Sequence, residues 1–518
     1  MQEINNLFPL QNSWLLGFAL LLAVVSIVLS NRNKDAWAIT GLFFAAFALR
    51  LFMAHLDPFL HDWDERFHAL VAANMMDYPL KPMMRVSTLL PYDYTAWCCN
   101  HVWLHKQPLF LWQMALSMKI FGVSEFTMRY PSVLMGSIAI LMIYRITVLM
   151  TANNKTAFMA ALFTCFSYYH LELLSGYYGM DQNDVCFDFY VLASIWAYIE
   201  YLRKPTWYWA ALAGVLSGAA MLTKWLVGLL VFSAWGLLLL SRLRRKEAVT
   251  ELLHFVLALV LSAVVFLPWQ IYTLHTFPVE AHYELTYNSR HLSEAMEGHT
   301  GTIWYYWDFF HLYFGRYIFY LLPVGLVLAI ALKKYRNTRL LAIAAYFLIG
   351  FIFFSFIAQT KVYAYFMVVV PLGYIFMAIA AQEILTISRL KKYLYIPVAI
   401  AMAFTIFDLP DITQVHDPGN KENNWAMNTY NANAFKSVRK YIPADVKTVI
   451  NMNSFNDIDV MFFNKGLNAY AWSLDSAQFS IVRAKNIKLT AFRSHNGYFV
   501  TPEVNEYKNM VIIPIDLK

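Results

Sequence analysis

Charged residues are scarce in this chain of 518 residues. Asp, Glu, Lys and Arg make up 14% of it, whereas ordinary globular chains carry roughly 25%. Hydrophobic residues reach 59%, and the mean hydropathy is +0.46. This composition excludes an intrinsically disordered chain and a nucleic-acid-binding surface protein, and it predicts a polytopic α-helical membrane protein.

Cysteines and nucleotide-binding motifs are also lacking. The four cysteines form no C-x-x-C pair, so neither a zinc knuckle nor a disulfide framework is indicated. Cys98 and Cys99 are adjacent, and we expect two ordinary buried thiols, with a strained vicinal disulfide as the alternative. The sequence has no Walker loop, no G-x-G-x-x-G turn and no nucleotide-sugar Asp-x-Asp on the predicted cytoplasmic side, so no nucleotide site is indicated.

Long apolar stretches, in contrast, are abundant. A helix needs roughly 20 mostly apolar residues to cross a bilayer. Twelve such spans are predicted, near residues 14–30, 36–55, 128–150, 157–176, 184–202, 207–223, 225–240, 250–273, 316–332, 340–358, 363–381 and 394–409. The first is not expected to be a cleavable signal peptide, because residues 1–13 carry no positive charge.

The distribution of positive charge predicts the orientation of these spans. Sixteen Lys and Arg residues lie in six short alternate connections, which the positive-inside rule assigns to the cytoplasm. Both termini and the long connections 56–127 and 274–315 would then face outward. Residues 1–409 are predicted to form the membrane domain. The more highly charged tail, 410–518, is predicted to be a small α/β domain on the outer face, because short apolar strand-like runs alternate there with helical stretches.

Polar residues concentrate in the first long outer loop. The run from His61 to His68 contains three carboxylates, a guanidinium and two imidazoles, and an amphipathic helical pattern follows it. Asp64 and Glu65 would lie at the start of this helix, near its positive dipole end. Spacing alone leaves two interpretations open, a helix cap with a solvated polar rim and a functional site.

Isolated cations recur on the same predicted outer side. Lys106, Lys224 and Lys361 lie close to the bilayer boundary, where such residues snorkel or bind an anion. Asp184 opens the fifth span on that side, and an aromatic cluster including Trp304 and Tyr305, itself typical of an interfacial belt, lies in the second long loop. Carboxylates and cations at one membrane boundary predict a site for an anionic, partly lipidic molecule, with acid–base chemistry available from a carboxylate.

A set of motifs in fixed order resembles one enzyme family. The set comprises Asp64-Glu65 after an early span, Lys106-Gln107-Pro108-Leu109, Phe-Gly-x-Ser-Glu-Phe with Arg129-Tyr130-Pro131, Lys224, His299 before Trp304-Tyr305-Tyr306, and Lys361 to Pro371. It is similar to the polyprenyl-phosphate-sugar-dependent membrane glycosyltransferases, which include the protein O-mannosyltransferases and the bacterial aminoarabinose transferase of lipid A. The similarity extends over about residues 36–381.

This resemblance implies a GT-C fold of about twelve transmembrane helices with an outward-facing active site. It implies an inverting transfer of a sugar from a polyprenyl phosphate to a protein hydroxyl, lipid A or another glycan. Asp64 matches the catalytic aspartate, expected to act as general base, with Glu65 as a neighbouring catalytic carboxylate. The residues expected to bind the donor phosphate are Lys106, Lys224, Lys361 and Arg66. The residues expected to line the substrate cavity are Asp184, Tyr365, Trp304 and Tyr305.

The sequence departs from the family pattern at four places. His105 stands where the family has Glu, so a divalent metal ion held by His105 and His299 is an open alternative without a carboxylate to support it. Gln107 replaces the first of two prolines after Lys106. Arg66 follows Asp-Glu directly rather than two positions later, and the apolar span at 14–30 lies upstream of the usual first helix.

Two other classes of function remain open at this stage. A transporter or flippase of a lipid-linked or anionic envelope precursor would use the same outer cations for recognition without chemistry, and broken helices would favour it. A non-enzymatic component of envelope assembly would suit the large outer tail. As an enzyme, the chain is expected in the bacterial inner membrane with its active site and tail in the periplasm, and no nucleic-acid partner is expected.

Overall fold

The computed structural model describes residues 12–518 except 86–87, 97–99, 179–180, 243, 245–247, 389–390, 421–423, 454 and 472. The predicted thiols Cys98 and Cys99 lie outside the described residues, as do Arg245, Lys246 and Arg389 of the predicted cytoplasmic connections. The other two cysteines, Cys165 and Cys186, are buried free thiols.

Helices dominate the first 416 residues. They are α1 (Ser13–Asn31), α2 (Asp35–Ala54), α3 (Asp64–Met75), α4 (Pro108–Phe121), α5 (Glu125–Thr151), α6 (Asn154–Cys165), α7 (Tyr168–Ser175), α8 (Asp181–Arg203), α9 (Trp207–Lys224), α10 (Leu230–Leu240), α11 (Ala248–Thr276), α12 (Pro278–Ser293), α13 (Tyr305–Asp308), α14 (Phe310–Phe314), α15 (Leu321–Ala331), α16 (Thr338–Ile352), α17 (Tyr363–Phe366), α18 (Val370–Ile387), α19 (Lys391–Phe407) and α20 (Leu409–His416). The polytopic helical class predicted from composition is confirmed.

Ten helical segments among the described residues are long and apolar enough to cross a membrane, so the predicted number of twelve remains a prediction. The difference arises at Trp207–Leu240, which counts as one segment, and at Leu321–Ala331, which is shorter than a span. The segment Trp207–Leu240 is not straight. Ser217 donates a hydrogen bond of 2.7 Å to the carbonyl oxygen of Gly228, although eleven residues of straight helix would separate them by about 16 Å. The chain therefore reverses after Lys224, where Trp225 has a φ of 62°.

This reversal places Lys224 beside the first turn of α8. Helix α9 packs closely on both α8 and α11, and a Cβ atom added at Gly214 would lie 2.2 Å from the carbonyl oxygen of Ala258. Small residues of this kind allow membrane helices to approach closely. The end of the bundle that contains Lys224 and the start of α8 is called the site end below.

At the site end, α3 and α4 lie in the long connection between α2 and α5. Between these helices, Met83 and Val102 form an isolated antiparallel bridge, and the amide of Trp103 donates to the carbonyl oxygen of Pro82 at 2.8 Å. Lys106 follows this bridge by four residues, immediately before α4 begins at Pro108. The bridge thus determines where Lys106 lies relative to α3.

The C-terminal region contains a five-stranded sheet. Its elements are α21 (Trp425–Ser437), β1 (Thr448–Met452), α22 (Asn456–Phe463), β2 (Asn468–Ala471), α23 (Ser476–Ala484), β3 (Leu489–His495), β4 (Tyr498–Phe499), α24 (Pro502–Asn505) and β5 (Met510–Leu517). Strands β2, β1, β3 and β5 are parallel, and β4 pairs antiparallel with the end of β3. The predicted C-terminal α/β region is confirmed, while its separation from the membrane domain at residue 410 remains a prediction.

Candidate functional site

Asp64 and Lys106 form an ion pair at the site end. Lys106 Nζ lies 3.1 Å from Asp64 Oδ2, and the side chains are 19% and 14% exposed. Helix α3 begins at Asp64, and the N-cap position belongs to Trp63, which makes no side-chain capping bond. The alternative of Asp64 as a helix cap is therefore not what the structure shows. An aspartate and a lysine face each other with access to solvent.

The charge on Asp64 is set by its neighbours. Burial alone would raise the pKa of Asp64, but Lys106, His68 and His105 outweigh it and lower this pKa to about 2. Burial likewise opposes the charge on Lys106, and Asp64 raises the pKa of Lys106 above its ordinary value, with Glu297 and Asp184 adding to the effect. Asp64 is consequently a carboxylate at neutral pH, and Lys106 is an ammonium.

A second ion pair lies beside the first. Lys224 donates to Asp184 Oδ1, and its ammonium sits 4.7 Å from the centre of the Tyr365 ring. The Asp184 side chain is 2% exposed and that of Lys224 is 19% exposed. Because Asp184 also raises the pKa of Lys106, the two pairs share one electrostatic environment. Four predicted residues, Asp64, Lys106, Asp184 and Lys224, therefore come together with Tyr365.

Glu65 is not part of this exposed group, so its predicted role as a second catalytic carboxylate stays a prediction that its surroundings do not favour. Its two oxygens accept hydrogen bonds from Arg129 at 2.7 and 2.9 Å, and one also accepts the backbone amide of His61 at 2.7 Å. Both Glu65 and Arg129 are fully buried. Gly176 closes over Glu65, since an added Cβ would lie 2.6 Å from its carboxylate oxygens. No space remains for a substrate.

Arg66 also lies elsewhere, so its predicted role as a phosphate ligand stays a prediction that its contacts do not favour. Its guanidinium contacts Asp62 at 2.6 Å, Asn456 at 3.4 Å and Asp459 at 3.5 Å. Two of these partners belong to α22 in the C-terminal region. Arg66 therefore connects α3 to the C-terminal region instead of reaching the Asp64–Lys106 pair.

Lys361 is occupied by the backbone. Its ammonium donates to three carbonyl oxygens, those of Phe354 at 2.6 Å, Ser355 at 2.9 Å and Ala358 at 2.6 Å. The first two belong to a π-helical turn, Phe353–Ile357, that ends α16. A lysine with all three hydrogens donated has none left for a phosphate in this conformation. Lys361 acts here as a helix C-terminal cap.

We expect Lys361→Met to lower stability rather than donor affinity. Removing the ammonium leaves three buried carbonyl groups without a partner, at a cost of at least about 2 kcal/mol. The measurement is the midpoint of thermal unfolding in detergent together with binding of undecaprenyl phosphate. A variant with an unchanged midpoint and weakened binding would return Lys361 to the phosphate site.

The geometry does not fit the metal alternative. His105 Nδ1 lies 3.3 Å from Glu284 Oε2 on α12, both buried, and the carbonyl oxygen of His299 accepts the amide of Lys361 at 3.1 Å. Among the residues that the structure describes, no three His, Cys, Asp or Glu side chains group as metal ligands. His105 therefore has a carboxylate partner, Glu284, but His299 does not join it in a ligand set.

The aromatic residues divide into two groups. Tyr305 stacks on Tyr363 with ring centres 5.4 Å apart and planes at 15°, while Trp304 is 58% exposed. The exposure of Trp304 agrees with its interpretation as an interfacial residue. Sequence reasoning missed two ion-pair partners of the predicted residues, Arg129 and Glu284. Arg129 belongs to the motif Arg129-Tyr130-Pro131, but its partner Glu65 lies 64 residues away in the sequence. No local sequence pattern therefore indicates their contact.

Comparison with known proteins gives a partial sequence match and an extensive structural one. The family described as dolichyl-phosphate-mannose-protein mannosyltransferase matches residues 105–272, a range that contains Lys106, Asp184 and Lys224 but not Asp64. A relative from Proteus mirabilis, named undecaprenyl phosphate-alpha-4-amino-4-deoxy-L-arabinose arabinosyl transferase 2, is 27% identical over 260 residues, 49% of this chain and 45% of the relative. The match thus spans less than half the length of that relative.

Two solved structures share the architecture. ArnT from Cupriavidus metallidurans, bound to undecaprenyl phosphate, superposes with a TM-score of 0.62 at 13% identity, covering 86% of this chain and 88% of ArnT. The archaeal oligosaccharyltransferase AglB from Archaeoglobus fulgidus, in complex with an inhibitory peptide and a dolichol-phosphate, gives 0.56 at 12% identity, covering 88% of this chain and 69% of AglB. Identities this low establish the fold. The chain is therefore a multi-pass membrane protein of the GT-C fold, which confirms the resemblance to the polyprenyl-phosphate-dependent membrane glycosyltransferases drawn from its motifs.

Proposed function

We propose that the protein transfers a sugar from a polyprenyl-phosphate donor to an acceptor at the outer face of the membrane, with inversion at the anomeric carbon. The observation that carries this proposal is the solvent-accessible Asp64–Lys106 pair, with nitrogen and oxygen 3.1 Å apart, next to the Lys224–Asp184 pair. A carboxylate and two ammonium groups at one membrane boundary match the needs of a base and a phosphate leaving group. The named relative from Proteus mirabilis supports an undecaprenyl-phosphate donor.

Asp64 is the proposed general base. The acceptor oxygen attacks the anomeric carbon and passes its proton to Asp64, while the bond between that carbon and the phosphate oxygen breaks. The sugar is thereby joined to the acceptor, and polyprenyl phosphate leaves with both electrons of the broken bond. Lys106 and Lys224 would stabilise the negative charge that develops on the phosphate, which is the role of fixed cations in such transfers.

Donor binding would also prepare Asp64 for this step. A pKa of about 2 makes Asp64 a weak base, and the best general bases have a pKa near the working pH. A donor phosphate that shares Lys106 would reduce the attraction between Lys106 and Asp64. The proton affinity of Asp64 would then rise, because its burial opposes the charged form.

No step in this scheme passes through a metal ion, since His105 and His299 do not form a ligand set with a third residue among the described positions. The outward orientation of the site rests on the positive charges in the opposite connections. A protein hydroxyl, lipid A or another glycan would each supply the attacking oxygen. Lipid A as acceptor rests on the motif resemblance to the aminoarabinose transferases, and a protein acceptor is supported by the matched mannosyltransferase family.

The proposal is tested by incubating the purified protein with undecaprenyl-phosphate-linked sugar and candidate acceptors. We expect free undecaprenyl phosphate to appear together with glycosylated acceptor, measured by mass spectrometry. A transporter or flippase would move the donor across a proteoliposome membrane and leave it chemically intact. Transport without release of undecaprenyl phosphate would therefore replace this proposal.

Lys106→Ala is expected to weaken donor engagement. Loss of one charge-assisted contact to a phosphate should raise the dissociation constant for undecaprenyl phosphate roughly 10-fold or more, since such bonds contribute about 1.5–3 kcal/mol. The measurement is a binding titration in detergent. Lys119→Ala on the exposed face of α4 is the matched control, because Lys119 is exposed and donates to the carbonyl oxygen of Met76 at 3.4 Å. Equal affinities in the two variants would remove Lys106 from the phosphate site.

A further inference from the structure

Helix α22 of the C-terminal region packs directly on α3, the helix that begins with Asp64. Phe455, immediately before α22, lies with its ring centre 5.4 Å from that of Trp63 and 5.9 Å from that of Phe67. The first turns of the two helices are therefore side by side. Asp457 and Asp459 both lie in this first turn of α22.

Each of these two carboxylates is paired with an arginine from the membrane body. Asp457 Oδ2 lies 2.9 Å from Arg85, and Asp459 Oδ1 lies 3.5 Å from Nε of Arg66. All four side chains are at least nine-tenths buried. The same terminal nitrogen of Arg85 also donates to the carbonyl oxygen of Ala469 at 3.1 Å, and the guanidinium lies 5.1 Å from the centre of the Tyr470 ring, so Arg85 contacts three residues of the C-terminal region.

The two arginines belong to the two segments that carry the proposed site. Arg66 is two residues after Asp64 in the first turn of α3. Arg85 directly follows the strand segment in which Met83 bridges Val102, and the amide of Met84 donates to the carbonyl oxygen of His101 at 3.0 Å. This bridge leads within a few residues to Lys106. Helix α22 thus contacts both of the segments that carry the Asp64–Lys106 pair.

Stability alone does not account for this arrangement. Burial raises the pKa of Asp457, and it raises the pKa of Asp459 to about 7, although Arg85 and Arg66 pull in the opposite direction. Buried ion pairs often contribute little net stability compared with apolar residues of the same size, and their best-attested role is to fix a geometry. A pair of charges can fix a register that an apolar contact would leave free to slide.

From these contacts we propose that α22 is a clamp, with Asp457 and Asp459 as positioning residues that set the relative placement of Asp64 and Lys106. The proposal rests on the proposed function for its catalytic consequence. Its geometric content, the placement of Lys106 against Asp64, does not depend on any activity. The C-terminal region is then a working part of the site rather than an appendage.

The test uses the full-length protein with Asp457→Asn, which keeps size and hydrogen bonding but removes the charge. Asp445→Asn is the matched control, because Asp445 pairs with Lys488 on the exposed surface of the same region. The first readout is the rate at which an amine-reactive reagent modifies Lys106, followed by mass spectrometry. Asp64 raises the pKa of Lys106, so a loosened pair exposes more neutral amine, and we expect modification several-fold faster in Asp457→Asn alone.

The second readout is sugar transfer. We expect kcat to fall roughly 10- to 100-fold in Asp457→Asn, as expected for a displacement of reacting groups by about 1 Å. The acid limb of its pH profile should move to higher pH, because Asp64, which faces Lys106, His68 and His105, then loses part of the attraction that lowers its pKa. Arg85→Lys, which keeps the charge and loses the planar fork, is expected to act in the same direction and serves as the second variant if Asp457→Asn does not fold.

The two proposals fail in different ways. If the wild-type protein transfers no sugar but Lys106 is modified faster in Asp457→Asn, the clamp stands and the proposed function falls. If the wild type transfers sugar and Asp457→Asn matches Asp445→Asn in both modification rate and kcat, the clamp is overturned. A lower unfolding temperature in Asp457→Asn with unchanged modification of Lys106 also overturns it, because a merely structural contact would give that result.

Discussion

Asp64→Asn is expected to reduce sugar transfer by about 10²- to 10⁴-fold, the usual effect of removing a general base. The substitution keeps the size of the side chain and removes its ability to accept a proton. Folding should persist, because Asp64 and Lys106 are both partly exposed and water can solvate the ammonium that is left. Binding of undecaprenyl phosphate should be unchanged or tighter, since Lys106 is freed from its carboxylate partner.

The measurement is transfer under single-turnover conditions, with the donor bound at saturating concentration. Asp77→Asn is the matched control, because Asp77 follows α3 at its far end and pairs with Lys465 at 2.5 Å on an exposed surface. We expect this control to transfer at the wild-type rate. Near-normal turnover in Asp64→Asn would rule out Asp64 as the base and would leave the site with a binding role only.

The helix geometry explains which of the predicted site residues come together. Asp64, Glu65 and Arg66 are consecutive in sequence, but successive side chains on an α-helix point about 100° apart. Only one of three neighbours can therefore face a given cavity. Asp64 faces Lys106, Glu65 points into the buried interior toward Arg129, and Arg66 points toward the C-terminal region. A run of charged residues looks like one cluster in the sequence. Once the run forms a helix, its three side chains point to three different surroundings.

Isolated cations present a different difficulty. Lys106, Lys224 and Lys361 look alike in sequence, each a lone positive charge beside an apolar stretch. Two of them meet carboxylates, Asp64 and Asp184, whereas Lys361 meets three backbone carbonyl oxygens at the end of α16. The partner of each lysine depends on which distant segment the fold brings beside it. The local sequence does not indicate that partner.

The fold itself was largely predictable, because the bilayer makes the same demands on each membrane span separately. A span must satisfy its own backbone and present apolar side chains to lipid, so hydropathy alone locates most helices. The contacts between α22 and α3 follow a different rule. They join residues almost 400 positions apart through buried charges, and the sequence indicates neither the pairing nor its proximity to Asp64.

Glu65→Ala is expected to lower the free energy of unfolding by about 3–5 kcal/mol, the usual cost of breaking a buried ion pair by removing one partner. Arg129 would be left as a fully buried charge, whose remaining hydrogen-bond acceptors among the described residues are the carbonyl oxygens of Ala54, Asp57 and Phe59. The loop before α3 would also lose the contact between Glu65 and the amide of His61.

The measurement is thermal unfolding in detergent, compared with Glu294→Ala, in which a carboxylate of an exposed pair with Arg290 is removed. The control is expected to unfold at the wild-type temperature, because exposed ion pairs contribute little. Adjacent carboxylates thus receive opposite predictions: Asp64→Asn loses transfer and keeps stability, while Glu65→Ala loses stability, and its remaining folded fraction retains transfer. A Glu65→Ala protein that unfolds like the wild type yet transfers no sugar would show that Glu65 takes part in the chemistry, and the structural role assigned to the Glu65–Arg129 pair would then be wrong.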